Sequence, residues 1–156
     1  MEQQFPVLFR RYALREDSGG PGEFRGGLGL DYEIELRRGA ARASFVMDHG
    51  RFGPPGALGG LDGAPNSVRV LRGDEVHIPA HLSKEQDIPM GPGDRVRVGT
   101  PGGGGYGDPA RRDPALVALD VRLGRVAPET AANTYKVALT KTLEVDEAAT
   151  AQLRAG

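Results

Sequence analysis

The chain contains no cysteine. Disulfides, thiolate zinc sites and cysteine nucleophiles are thereby excluded, and the usage suits a reducing, cytoplasmic setting. A surplus of either charge is also missing. The 20 basic residues face 21 acidic ones, which provides no electrostatic footprint for nucleic acid or an anionic membrane surface. The pairs Arg10-Arg11, Arg37-Arg38 and Arg111-Arg112 are dispersed and read as solvated surface. No apolar run approaches a membrane span. Met1-Glu2-Gln3-Gln4-Phe5-Pro6 has neither the basic region nor the apolar run of a signal peptide. These absences describe a soluble chain, and 156 residues suffice for one ordinary domain with a real core.

What the chain has in excess is glycine, 24 residues, joined by 12 prolines. They lie in discrete clusters between segments of clear strand or helix pattern, so turns and tight corners explain them better than disorder does. Phe5 to Arg15 has strand character, with Val7, Phe9 and Arg11 facing one way. Leu30-Asp31-Tyr32-Glu33-Ile34-Glu35-Leu36 alternates apolar and charged residues, the period of a half-buried strand. Arg38-Gly39-Ala40 then turns into a strand over Ala43–Met47, and the two are expected to pair as an antiparallel ribbon. Residues 48–66 read as a long irregular loop of the kind that is functional or covered by a partner. Short strands are expected at Ser67–Leu71, Glu75–Ile78 and Arg95–Val98. Beyond them Asp113 caps a helix with Pro114 at its first position and Gly124 at its end. A second helix is expected from Pro128 towards Tyr135, a short strand at Val137–Leu139 and a last helix over Asp146–Leu153. The reading is a single α+β domain: a β-rich antiparallel region over 1–108 with many Gly/Pro turns, then a small helical tail over 109–156.

The densest cluster is Pro101-Gly102-Gly103-Gly104-Gly105-Tyr106-Gly107-Asp108-Pro109. Five glycines between two prolines imply that something approaches this backbone closely. Gly102, Gly104 and Gly107 match the spacing of a dinucleotide fingerprint, but Pro109 blocks the helix that should follow and the βαβ context is missing. Consecutive amides here could still form an anion nest, and a tight backbone crossing is the competing reading. Arg25, before Gly26 and Gly27, could hold a carboxylate or phosphate bidentately, or form a structural ion pair with Asp17 or Glu23. His77 and His81 have helical metal spacing, yet Pro79 keeps them extended, roughly 13 Å apart. His49, near Asp48 and Arg51, reads as a loop residue that hydrogen-bonds locally, and a functional role is the alternative. Ser18 stands in no nucleophile elbow. No nucleophile, acid–base pair or metal site is expected on this chain.

Asp17 through Gly29, then Pro54-Pro55-Gly56, Gly59-Gly60 and Gly63-Ala64-Pro65, resemble the C-terminal part of the hydantoinase B/5-oxoprolinase family. Pro92-Gly93-Asp94, Thr100 to Pro109, Arg112-Asp113-Pro114 and the Val117, Asp120-Val121 helix continue the resemblance in order. It implies ATP-dependent opening of cyclic amides such as hydantoins or 5-oxoproline, with ketone carboxylation in related complexes. It also implies an A-type subunit that uses ATP and phosphorylates the substrate, beside a B-type subunit acting on the activated intermediate. ATP and a divalent metal are expected in the full complex and no cofactor on this chain. The family's Asn-Asp-Pro and Gly-Gly-Thr-His stretch is absent here, so the chain reads as a split or truncated B-type C-terminal region needing that N-terminal part as a partner. A non-catalytic scaffold that kept the fold is the other reading. The expected ligand or interface residues are Arg25, Gly26, Gly27, His49, Arg51, Gly103, Gly104, Gly105, Tyr106 and Asp108. Lys136 stands where the family usually has glycine, which implies a changed turn.

Overall fold

A computed structural model describes residues 2–155. Its strands are β1 (Val7–Leu14), β2 (Leu30–Leu36), β3 (Ala41–Val46), β4 (Ser67–Arg72), β5 (Glu75–His77), β6 (Lys84–Met90) and β7 (Arg95–Gly99). Five of them form an antiparallel sheet in the order β1-β2-β7-β4-β5, and β3 with β6 forms a separate two-stranded ribbon. Alternation in β2 places Tyr32, Ile34 and Leu36 on one face, with Val98 and Val96 of β7 opposite Tyr32 and Ile34. Val68 and Val70 of β4 extend this face, and with Val98 they are almost completely buried. The other face is a ladder of charge: Glu35 meets Arg10, Glu33 meets Arg95 and Asp31 meets both Arg11 and Arg97.

Three expectations need correction. β2 and β3 do not pair, because β1 and β7 occupy both edges of β2. β3 instead pairs with β6, whose polar sequence and internal Pro89 conceal a strand; a two-stranded ribbon has open edges where proline is tolerated. In β1 the register shifts between Phe9 and Arg11, so Tyr12 and Leu14, rather than Arg11, join Val7 and Phe9 on the apolar face. Val137–Leu139 forms no strand; an isolated bridge links Leu139 to Val145, and Val137 is buried among the helices.

The helical tail comprises a 3₁₀ turn at Pro109–Arg111, α1 (Pro114–Arg122), α2 (Pro128–Asn133) and α3 (Glu147–Ala155). Asp113 caps α1 by accepting from the Ala115 amide at 2.8 Å, and Gly124 ends it at φ +62°. Val117, Val121, Val126, Ala131, Tyr135 and Val137 form one buried cluster. Burial pushes the Tyr135 phenol up to about 12, and its hydroxyl has no hydrogen-bond partner among the described residues. Lys136, next to it, lies at φ +56°, a left-handed conformation that glycine adopts without steric cost. Lys136→Gly is therefore expected to stabilise the chain by about 0.5–1 kcal/mol, the relieved strain exceeding the added chain entropy. A lowered urea midpoint would contradict that account.

Candidate functional site

The segment 102–107 runs through the middle of a bundle of extended chain. A Cβ on Gly102 would collide with the Ser18 carbonyl, and one on Gly104 with the Pro55 carbonyl. On Gly103 it would sit 3.3 Å from the Gly27 amide, while Gly105 points back to the first neighbour at Pro21. Successive residues thus face three different segments and the fourth returns to the first. That is the three-residue period of a polyproline II helix, here with all three sides occupied by backbone. At 102, 104 and 105 a side chain has no room to leave, so glycine is required there, and at 103 the fit is tight.

The same crowding consumes four of the run's amides. Gly103 donates to the Gly27 carbonyl (2.9 Å), Gly105 to Leu61 (2.9 Å), Tyr106 to Phe24 (2.9 Å) and Gly107 to Ala57 (3.0 Å). These donors point at carbonyls rather than into an anion nest. The run is a packed crossing. Its end is set by Asp108, which caps the 3₁₀ turn by accepting from the Ala110 amide at 2.9 Å.

Arg25, Gly26, Gly27, Gly103, Gly104, Gly105 and Tyr106 therefore come together in the bundle. Arg25 itself turns towards α1, and its ion-pair partner is neither Asp17 nor Glu23. Its Nε lies 3.0 Å from Asp120, a carboxylate also reached by Arg112 at 3.0 Å and Arg125 at 3.5 Å. Asp17 instead accepts from the Ala127 amide and the Thr130 hydroxyl at the start of α2, and Glu23 faces Arg111. Burial pushes the Asp120 carboxyl up, but the hydrogen bonds and charges of Arg25 and Arg112 outweigh it and hold it below the usual range. This hub was missed in the sequence. Its signal was an acid on the same α1 face as Val117 and Val121.

His49 and Arg51 lie elsewhere. They line a cleft of about 380 Å³ together with Asp48, His81 and Lys84. His49 is left-handed at φ +59°, and its Nδ1 lies 3.2 Å from the Phe52 carbonyl oxygen, the local contact expected of it. Lys84 reaches Asp48 at 2.8 Å, and Ser83 donates to the Met47 carbonyl at 2.7 Å, closing this cleft across 36 residues of chain. His77 is held by Glu85 at 3.0 Å and does not join His81.

Apolar side chains remain uncovered in many places, the long loop at Phe52 and Leu58 among them. Phe24 and Tyr106 pair at 6.2 Å between ring centres, yet are 64% and 50% exposed. Leu116, Leu119 and Leu123 form a helical stripe on α1 facing away from the core, and Tyr12 and Leu14 are exposed on the apolar face of β1. Such side chains are open to contact with another molecule. Among the described residues, no helix is long and apolar enough to cross a membrane.

The fold is thus a β-rich domain organised around a glycine crossing, with apolar side chains left uncovered on its surface. Residues 1–109 match the model of the hydantoinase B/oxoprolinase family. The chain belongs to that family. It is similar to the caprolactamase subunit beta of Pseudomonas jessenii, at 40% identity over 99% of this chain and 27% of the relative. The crystal structure of the ATP-dependent caprolactamase from Pseudomonas jessenii superposes with a TM-score of 0.84 at 37% identity, covering 100% of this chain and 27% of that one. A nucleotide-free acetone carboxylase structure shares the fold alone, with a TM-score of 0.77 at 23% identity over 96% of this chain and 24% of its own. The chain spans about a quarter of the length of these relatives.

Proposed function

We propose that this chain serves as the C-terminal module of a B-type subunit in an ATP-dependent assembly that opens cyclic amides, working beside an A-type subunit and the remaining B-type portion. The observation that carries this reading is the alignment with caprolactamase subunit beta along essentially the whole chain. The uncovered stripe on α1 and the exposed Phe24–Tyr106 pair support it, since an assembly supplies the cover they lack. In this reading Arg25 and residues 102–108 form a stiff corner at a subunit junction. The bundle's part is positional: a backbone crossing without side chains cannot deform as a side-chain core can, so surfaces built on it keep their spacing.

ATP and a divalent metal belong to the full assembly. The residues described here do not fit either group. The amides of Gly103, Gly105, Tyr106 and Gly107 are spent on carbonyls, and among the described residues no three acidic or histidine side chains gather as ligands. The test is reconstitution. The purified chain with ATP and 5-oxoproline, a hydantoin or caprolactam is expected to release no ring-opened product. Adding an A-type subunit and a B-type N-terminal portion is expected to restore turnover. Ring opening by the chain alone, or turnover by the other components that is indifferent to its addition, would overturn the proposal.

A further inference from the structure

At the end of the sheet nearest the glycine bundle lies a polar cavity of about 360 Å³, lined by arginines from three strands and from the loop after β1. Four arginines and two carboxylates face it, leaving an excess of two positive charges. Arg11 and Arg97 share one counter-ion, Asp31, at 2.7 and 2.8 Å. Among the described residues, the other two have no carboxylate partner. Arg15 is pinned through Nη1 to the carbonyls of Pro65 (2.7 Å), Gly99 (3.2 Å) and Thr100 (3.0 Å). It lies over Gly99 so closely that a Cβ there would sit 3.1 Å from the guanidinium carbon. Its orientation is thus built in, while its remaining N–H donors are left for another acceptor.

Arg69 is the more telling group. It stands directly opposite Arg97 in the β4–β7 register. Like charges facing each other across strands cost stability, and Arg97 is already bound to Asp31 on its other side. Among the described residues the sheet gives Arg69 no carboxylate, and its exposed side chain is open to a ligand. Ser67, next on the same face and opposite Gly99, lines the cavity and adds a hydroxyl.

We propose that this cavity binds a small oxyanion, a carboxylate or phosphate group, held by Arg69 and Arg15 with Ser67 beside them. A guanidinium offers two parallel donors to either group, and one already fixed by three carbonyls loses little freedom on binding. The site is independent of the cyclic-amide reading and is tested on the isolated chain.

Isothermal titration with inorganic phosphate, and separately with succinate, separates the two sources. At least one is expected to bind with a dissociation constant of about 1 mM or tighter. Arg69→Ala should weaken that binding at least roughly tenfold, since it removes a charged hydrogen-bond donor. Arg38→Ala, away from the cavity, should leave it unchanged. Arg69→Glu should abolish binding yet raise the thermal midpoint, because it places an opposite charge across from Arg97. The proposal is overturned if neither anion binds, or if binding survives Arg69→Ala intact. In the first case the arginines would be left to an acidic protein partner.

Discussion

Gly104→Val is expected to prevent the chain from folding cooperatively. The first atom of any side chain at 104 would fall on the Pro55 carbonyl, with the Gly56 amide nitrogen 2.8 Å away. No rotamer avoids this, because the clash is with Cβ itself and both obstacles are backbone. Relief would require moving the 54–57 segment, which carries the bonds Ala57 N–H to Gly105 O (2.9 Å) and Gly63 N–H to Pro54 O (2.9 Å). Overpacking in an ordinary core costs about 1–3 kcal/mol. With no side chain able to yield, a cost above about 4 kcal/mol is expected, a large share of a domain's stability. Gly27→Ala is the internal control: nothing lies within 4 Å of its Cβ position, so a change within about 0.5 kcal/mol is expected. Urea denaturation followed by circular dichroism distinguishes the two. A Gly104→Val chain unfolding at the unaltered midpoint would refute the crossing as the element on which the bundle depends.

Asp120→Asn is expected to cost about 3–5 kcal/mol, the penalty for leaving buried charge without its partner. The substitution keeps the shape and removes only the charge. Arg25 and Arg112, with side chains 14% and 12% exposed, would then face each other around a neutral amide. Because Arg25 belongs to the bundle and Asp120 to α1, the loss should loosen the helical tail from the β-rich region. Acid should act in the same direction. The folded carboxyl titrates below its usual 3.8, so its contribution is complete above that value and is lost as pH falls through the folded value. Asp31, held down mainly by its hydrogen bond to Arg97, adds to the same acid limb. The Asp120→Asn chain should show a shallower loss of stability below about pH 4 than the unaltered one. Equal acid limbs would remove Asp120 from this role.

Local patterns were legible wherever the cause was local. The Leu30–Leu36 alternation and the Asp113 cap with Pro114 and Gly124 each depend on neighbours within a few residues. β6 escaped because its partner strand, not its own sequence, makes it a strand: Lys84 to Met90 shows no period of two. The bulge after Phe9 reversed the facing of β1 for a similar reason, since register is set against β2. The exposure of Leu116, Leu119 and Leu123 has no local signal, because hydrophobicity does not say which of two helix faces finds a partner.

The nine-residue run from Pro101 to Pro109 illustrates the division. Sequence by itself determined that this backbone must be approached closely, since four consecutive residues without Cβ serve no other structural end. It also determined the α+β class and the family, though not the full order of elements, since β6 was missed and Val137–Leu139 forms no strand. Only the tertiary structure decided what does the approaching: carbonyls of Ser18, Pro21 and Pro55 and the amide of Gly27, arriving on three sides. It likewise decided that Arg25 meets Asp120, 95 residues away, and that Arg69 meets Arg97. Such pairings arise from chain topology and register, and residue spacing along one strand carries no record of them.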